Sequence, residues 1–354
     1  MMKRIIRFVL CALLLALLGL HCACAETVKV CGVEADSAAT DIDLSEARQS
    51  LRGLKADLAL LPALQTAQLG KTALSAAELW TLQQTYPNVM FSCELRMYGQ
   101  LVPSDATELD AGDMPVRDVG KLVENLHCLP KLTRFTAYGT RLNKENIQLL
   151  TETFPQVDFH VTLNANGHWV ATDATAFSTL HGETSTRHPD FSILAYCKQL
   201  RAIDIGHNSV RDLSFMAELP ELRVLVLADN RISDLSPLAG LEHLEYIELF
   251  MNDVRDITPL GQLKNLLDVS LVSNQIEDVT PLLGCEKLER AWLGRNPIPE
   301  SQWEEVQQGL PGCLFNFTVK DGTGDNWRLH PRHKIKRRIF EGGSYVPWDW
   351  AGKK

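Results

Sequence analysis

Apolar and polar positions alternate regularly between Leu200 and Asn296. Leucine recurs there every 22 residues, and each copy follows the pattern L-x-x-L-x-L-x-x-N, with alanine or another aliphatic residue replacing some leucines. Alternation with a period of two predicts a short strand that buries one face, and so short a copy cannot close a core alone. The five copies are therefore predicted to stack as a ladder of parallel strands. Their anchor residues are Leu200, Leu222, Leu244, Leu266 and Leu288.

The segment after each strand predicts a tight turn on the opposite side of the ladder. Three copies place a hydroxyl residue directly before a proline, in Ser236-Pro237, Thr258-Pro259 and Thr280-Pro281. Proline is favoured in the first turn of a helix, and a hydroxyl just before it can cap free backbone N–H groups. A short helical turn capped by the hydroxyl is therefore predicted at each of these positions.

The 22-residue pattern resembles the leucine-rich repeat of bacterial internalin-type proteins. The resemblance implies an α/β leucine-rich repeat solenoid: a curved horseshoe with parallel strands on its concave face and helices or helical turns on its convex face. It also implies that the asparagine at the ninth position bonds backbone groups that water cannot reach. These asparagines are Asn208, Asn230, Asn252, Asn274 and Asn296.

A longer repeat precedes the regular one. Residues 72–110 align with residues 140–178 at an offset of 68. Each unit predicts a strand, an amphipathic helix such as Leu142 to Thr153, a proline that stops the helix, and a strand pair around Gly99 or Gly167. A further helix is predicted within residues 297–317. The chain is accordingly divided into a signal peptide (1–25), irregular long repeats (26–192), regular repeats with a closing helix (193–317) and a C-terminal cap or tail (318–354).

The N-terminus predicts export. Lys3, Arg4 and Arg7 precede an apolar run over residues 8–20, and Ala23-Cys24-Ala25 supplies a small-residue cleavage site before Glu26. This is the pattern of a secretory signal peptide, and the apolar run is short for a membrane span. The residues around the signal cysteines fit a lipobox poorly, which disfavours a lipoprotein. The protein is therefore predicted to be secreted or to lie at the cell surface.

Charge is distributed unevenly along the chain. The formal net charge is −9; subtracting the +3 of the signal and the +5 of residues 320–354 leaves −17 on residues 26–319. So acidic a body argues against nucleic acid as the main partner. The basic tail includes Lys334, Lys336, Arg337 and Arg338, which could contact an anionic wall polymer, a membrane surface or the acidic body. The tail tryptophans Trp327, Trp348 and Trp350 favour a docked cap over the final repeat.

Six cysteines remain after the signal peptide. An even number in a secreted protein would ordinarily suggest disulfides. Cys197 and Cys285, however, stand three residues before an anchor leucine, where other copies have Leu219, Leu241 and Leu263. That position favours free, buried thiols, although disulfides remain the alternative. The six residues are Cys31, Cys93, Cys128, Cys197, Cys285 and Cys313.

The concave face supplies the candidate binding site. Positions three, five, seven and eight of each copy alternate with the buried leucines, and in the middle of the array they are unexpectedly apolar. An exposed apolar patch with charged residues near its edge commonly marks a protein interaction site. The alternative is that these side chains pack under a polar loop at residues 178–192 or against the C-terminal tail. The candidate partner-binding residues are Val224, Val226, Tyr246, Glu248, Phe250, Met251, Val272 and Trp292.

Enzymatic function has little support in the sequence. The chain has no H-E-x-x-H, no G-x-S-x-G and no phosphate-binding loop, and no cofactor or metal site is implied. The predicted function is a secreted or cell-surface module that binds a protein partner through the concave face. The alternative is a cell-envelope scaffold that its basic tail attaches to wall polymer, an attachment that salt would weaken.

Overall fold

The computed structural model describes residues 26–180 and 189–348. The chain divides into two compact units, one containing the described residues up to Leu109 together with Gly120–Leu132, the other containing Asp110–Val119 and the described residues from Thr133 onward. The predicted signal peptide and most of the predicted loop at 178–192 lie outside the described residues. The predicted division at residues 192 and 317 concerns types of repeat and stays a prediction.

The first unit combines a hairpin, a four-stranded sheet and helices. Strands β1 (Thr27–Val30) and β2 (Val33–Asp36) pair antiparallel. The sheet has the order β3 (Asp41–Asp43), β4 (Thr66–Lys71), β5 (Met90–Met97) and β6 (Gln100–Pro103). The predicted strand pair around Gly99 is the antiparallel β5–β6 hairpin. The helices and remaining strand are α1 (Leu51–Asp57), α2 (Ala76–Thr85), α3 (Val119–His127) and β7 (Glu108–Asp110), of which Val119 and Asp110 belong to the second unit.

The second unit opens with the other long repeat, and its predicted elements are confirmed. They are β8 (Arg134–Leu142), α4 (Lys144–Thr153), β9 (Asp158–Ala165) and β10 (His168–Ala171). Helix α4 begins two residues later than predicted because the Asn143 side chain accepts a hydrogen bond from the Asn146 N–H at 2.9 Å, which caps it. Strand β9 pairs parallel with β8 and antiparallel with β10.

The five regular copies, with one further strand on either side, form one parallel sheet of seven strands. Equivalent residues of successive copies pair directly, so Val224 lies beside Tyr246 and Tyr246 beside Asp268. The anchor leucines are buried behind this sheet, as the pattern predicts, and the fold is a leucine-rich repeat solenoid. The strands are β11 (Ala176–Ser178), β12 (Ala202–Asp204), β13 (Val224–Val226), β14 (Tyr246–Glu248), β15 (Asp268–Ser270), β16 (Arg290–Trp292) and β17 (Leu314–Asn316). The predicted closing helix is α5 (Glu300–Gly309), and α6 (Pro331–Gly342) follows it.

The asparagine ladder has the structural role that the resemblance implies. The Asn230 amide donates hydrogen bonds to the carbonyls of Ile205 and Leu227, each at 3.0 Å. Its side-chain oxygen accepts one from the Val210 N–H at 2.8 Å. One side chain thus satisfies buried backbone groups of two adjacent copies, which links each copy to the next.

The convex turns form as predicted, but their caps do not. Short 3-10 turns begin at Ser236, Thr258 and Thr280, with proline in the first turn. The hydroxyls do not cap them; instead the Asp256 carboxylate accepts the Thr258 N–H at 2.8 Å, and Asp234 and Asp278 do the same in their copies. An aspartate two residues earlier accepts the N–H of the hydroxyl residue itself in an Asx turn. The hydroxyl residue is the first residue of the turn, one position past the cap.

The six cysteines, all within the described residues, are unbridged. Cys197 and Cys285 are fully buried, which confirms their predicted place in the core. The Cys285 thiol donates to the Leu260 carbonyl at 3.1 Å, and burial raises its pKa to about 12. These thiols therefore pack as small hydrophobic side chains.

Candidate functional site on the strand faces of the second unit

A C-terminal segment, residues 318–348, covers the concave face of the regular repeats. It leaves β17, makes a 3-10 turn at Trp327–Leu329 and continues as α6. The imidazole of His330 accepts the Arg332 N–H at 3.3 Å, and proline at the first helical position suits the fixed backbone there. Gly343, with φ of +67°, ends the helix in a left-handed conformation that costs glycine little.

The expectation that the candidate residues lie open is wrong. The apolar side of α6 packs on them in a buried cluster, so they form a second core on the strand face. Met251 is 51% exposed and Phe250 is partly buried, with its ring against Gly322, where an added Cβ would stand 2.1 Å from Cγ. The other six are at most 6% exposed: Val224, Val226, Tyr246, Glu248, Val272 and Trp292. The alternative interpretation, packing against the tail, is the observed one.

Trp327 is the centre of this second core. Its side chain is fully buried, and its ring centroid lies 5.7 Å from that of Tyr246 and 5.1 Å from that of Trp292. The indole N–H donates to Glu248 Oε1 at 2.9 Å and to the Tyr246 hydroxyl oxygen at 3.0 Å. The aromatic side chain therefore contributes apolar burial without leaving its polar atom unsatisfied.

Lys336 of helix α6 forms an ion pair with the buried side chain of Glu248. The Lys336 ammonium donates to both oxygens of Glu248, at 2.9 and 3.0 Å, and both residues are buried. Tyr246 donates its hydroxyl proton to the same carboxylate at 2.5 Å. Burial by itself would raise the pKa of Glu248, but Lys336 and the hydrogen bonds hold it below its usual value. The glutamate is therefore a buried anion satisfied by groups from both the sheet and the segment.

A second ion-pair group lies one copy further along. Asp268 accepts bidentate hydrogen bonds from Arg290 of the neighbouring strand, both at 2.8 Å, and from Arg332 of α6, at 2.6 and 2.8 Å. Arg332 also reaches Glu289 at 2.6 Å. Burial would raise the pKa of Asp268, whereas the two guanidinium groups hold it below its ordinary value. The paired charges fix the segment on the face with directional contacts as well as apolar burial.

The concave face therefore works as a binding surface for a helix of its own chain. Lys336 meets the acidic body, as one interpretation of the basic tail predicts, whereas Lys334 and Arg337 stay exposed. The segment lies along several copies instead of capping the last one, because its apolar residues match the apolar middle of the sheet. Sequence reasoning missed α6, although Ile335, Ile339 and Phe340 give it an apolar stripe at helical spacing.

A different strand face of the same unit remains open. We call it the open strand face: the side chains of β8–β10 that alternate with the buried ones. Tyr138 is 37% exposed and Trp169 is 47% exposed. The guanidinium carbon of Arg141 lies 4.6 Å from the centre of the Trp169 ring, a cation–π contact. Sequence reasoning placed the candidate site further along the chain and did not select these residues.

A cleft lies beside these aromatic side chains. Its volume is about 770 Å³, and it separates residues 113–117 from the strands. The 113–117 loop touches β8 at Gly139, where an added Cβ would stand 1.9 Å from the Asp113 carbonyl oxygen. That close approach requires glycine. The lining residues are Asp113, Pro115, Val116, Arg117, Tyr138, Gly139, Thr140, Arg141, Thr162 and Trp169.

Carboxylates next to the cleft already have partners. The Tyr138 hydroxyl donates to Asp173 at 2.6 Å, and this bond, burial and the neighbouring carboxylates raise the pKa of Tyr138 to about 12. His160 stands between Asp158 and Asp173, at 2.9 and 3.4 Å. Within the described residues no group of three or more His, Cys, Asp or Glu side chains could hold a metal ion. The arrangement offers contact chemistry: aromatic rings, guanidinium groups and polar side chains.

Comparisons with known proteins found one family model and several solved structures. A family model described as Leucine Rich repeats (2 copies) matches residues 220–262. No curated protein matches the chain. Internalin C2 from Listeria monocytogenes is 21% identical over 63% of this chain and 88% of its own, with a TM-score of 0.36. Listeria monocytogenes internalin inlF is 19% identical over 82% and 84%, with a TM-score of 0.39. The Leptospira interrogans leucine-rich repeat protein LIC12759 is 17% identical over 74% of each chain, with a TM-score of 0.38.

Leucine-rich repeat proteins typically bind protein partners, and the fold is typically an interaction scaffold. In the described residues no helix has both the length and the apolar character needed to cross a bilayer.

Proposed function

We propose that this protein is an extracellular protein–protein interaction module that presents the open strand face to its partner. The observation that carries the proposal is the exposure of Tyr138 and Trp169 next to Arg141, beside a cleft that the 113–117 loop leaves open. Tyrosine, tryptophan and arginine are the residue types that most often dominate binding energy at protein interfaces. The signal-like N-terminus supports the extracellular location.

The eight candidate residues of the concave face are not proposed to bind an outside partner. They hold the C-terminal segment, and an outside partner would reach them only if residues 318–348 left the sheet. Detachment of the segment would expose Trp327, Ile335, Ile339 and Phe340. Burial of each of these side chains contributes roughly 1.5 to 3 kcal/mol to stability. The buried ion pair between Lys336 and Glu248 would also be broken. The segment therefore acts as an internal ligand, and outside contacts use surfaces that remain accessible.

The test compares matched surface variants in a pull-down from bacterial and host surface fractions. The bait is residues 26–354, as wild type, as Tyr138→Ala with Trp169→Ala, and as Leu149→Ala. Leu149 is a fair control because it is 46% exposed but lies on helix α4. A protein retained by wild type and Leu149→Ala and lost by the double variant supports the proposal. Equal retention by all three baits would contradict it.

A second candidate is a cell-envelope scaffold held to anionic wall polymer through the tail. The exposed Lys334 and Arg337 favour it, since neither takes part in the buried ion pairs; Arg337 pairs with Glu341 at the surface, at 2.9 Å. Binding of this kind weakens steeply with ionic strength, whereas contact through aromatic side chains does not. Retention of wall polymer alone, lost at high salt and in the variant Lys334→Gln with Arg337→Gln, would favour the scaffold.

A further inference from the structure

We infer that the cleft beside Trp169 binds an acidic segment of the partner, with carboxylates placed on Arg141 and Arg117. This inference rests on the proposed function and names the chemistry of the partner. The inference concerns two exposed arginine side chains on a body whose net charge is strongly negative.

Arg141 is held ready for a planar anion. Its guanidinium group lies against the Trp169 ring, with 4.6 Å between the guanidinium carbon and the ring centre. Stacking restricts a long side chain but leaves the N–H groups at the edge of the guanidinium plane free to donate. A carboxylate matches that edge with two parallel hydrogen bonds. Less conformational entropy is lost on binding, because Arg141 is already ordered.

Arg117 supplies the second cation, from the opposite wall. Both arginines line the same cleft and are exposed, and no carboxylate of the described residues forms an ion pair with either. Asp173, an acid beside the cleft, accepts the Tyr138 hydroxyl at 2.6 Å and lies 3.4 Å from His160 Nδ1, so this carboxylate already has partners within the chain. Asp113 is the one acidic side chain in the lining. The cleft therefore presents two available cations to one carboxylate, which favours an acidic ligand over a basic one.

The cleft is formed before any partner arrives. Gly139 lets the backbone of the 113–117 loop come against β8, and this contact sets the distance between the wall that carries Arg117 and the wall that carries Arg141. An alanine there would force the loop away from the strand, because its Cβ would stand 1.9 Å from the Asp113 oxygen. A site held open in this way needs little rearrangement on binding.

The test uses two dye-labelled peptides and fluorescence anisotropy. One peptide alternates glutamate and glycine around a single tryptophan, and the other has glutamine in place of each glutamate. Wild-type protein is expected to bind the acidic peptide about tenfold more tightly, because charge-assisted hydrogen bonds exceed neutral ones by that order. Arg141→Gln and Arg117→Gln should each remove most of this preference, whereas Leu149→Ala should keep it. Gly139→Ala should weaken binding, with circular dichroism as its folding check.

The outcomes separate this inference from the proposed function. Equal affinity for the two peptides, or a preference unaffected by Arg141→Gln and Arg117→Gln, overturns the acidic ligand. If the pull-down partner still depends on Tyr138 and Trp169, the interaction module stands without it. A preference that depends on the two arginines, with no partner lost by the double variant, supports the cleft chemistry and contradicts the proposed function. Binding of a soluble wall polysaccharide in place of the acidic peptide would assign the cleft to carbohydrate.

Discussion

Two strand faces of the second unit differ in what covers them. The concave face of the regular repeats carries Val224, Val226 and Val272 and is buried under α6, whereas the open strand face carries Thr162, Tyr138 and Trp169 and is accessible. Both faces consist of side chains that alternate along their strands with buried apolar ones. An uncovered apolar patch is uncommon on a soluble chain. The unusual apolarity of the regular face was therefore better evidence for an internal ligand than for an outside partner.

The largest expected effect comes from the triple substitution Tyr246→Ala, Phe250→Ala and Trp292→Ala. Cavities at two buried aromatic positions and one partly buried position should lower the free energy of unfolding by more than about 5 kcal/mol, or prevent folding. Urea unfolding followed by circular dichroism measures this. Met251→Ala is the control on the same face, because Met251 is exposed and should change stability little. Unchanged stability of the triple variant would show that the segment does not rest on these residues.

Glu248→Ala should have the next largest effect. It leaves Lys336 buried without its counter-ion, and breaking such a pair costs about 3 to 5 kcal/mol. The double variant Glu248→Met with Lys336→Met should recover much of that loss, because no unpaired charge remains. Glu218→Ala is the matched control, since Glu218 pairs with Lys198 at 3.2 Å on the exposed surface. A loss no greater than that of Glu218→Ala would contradict the buried pair.

Asp204 should make stability depend on pH. Burial raises its pKa from 3.8 to about 6, near Lys336, Glu248 and His207. The folded protein therefore binds this proton more tightly than the unfolded chain, and the associated stability, complete below about pH 4, is lost as pH rises through 6. Asp204→Asn should be increasingly favourable relative to wild type between pH 4 and 7, by about 2 to 3 kcal/mol.

Unfolding of both proteins at several pH values measures the Asp204 effect. The Asn side chain can still accept the Gly206 N–H, which lies 3.2 Å from Asp204 Oδ1. The lowered pKa values of Glu248 and Asp268 act with the opposite sign, since their stabilisation is lost as pH falls. They are present in both proteins and largely cancel in the difference. A difference that does not vary with pH would mean that Asp204 titrates normally.

The smallest expected effect is that of Trp169→Ala. An exposed cation–π contact contributes only about 0.5 to 1 kcal/mol, so the melting temperature should hardly change. Trp327→Ala, which removes a fully buried tryptophan, should cost about 3 to 5 kcal/mol. Thermal unfolding of the two single variants makes the comparison directly. Similar losses would mean that the open strand face is also part of the core.

Much of the fold can be predicted from local signals. Proline stops and helical spacing place α2, α4 and α5, and Gly99 and Gly167 mark the hairpins. The candidate site could not be predicted in the same way. Position in the repeat identifies which side chains point away from the buried leucines. The same alternation is found in a strand face that another segment covers and in one that stays accessible, so it does not distinguish them. The turn caps also differ from the prediction: Thr258 is the first residue of its turn, and its own N–H donates to Asp256 two residues earlier.

The sequence by itself determined the repeat, the strand register and the asparagine ladder, because each copy repeats the same contacts with a neighbour 22 residues away. Only the tertiary structure decided which strand face is covered by another segment of the same chain. The pairs that decide it, Lys336 with Glu248 and Trp327 with Tyr246, join residues 88 and 81 positions apart. Trp327 and Lys336 lie beyond the regular copies, so these contacts are not repeated from one copy to the next. Their meeting depends on the path of the segment after β17, and this is set by apolar burial and charge pairing over the whole face.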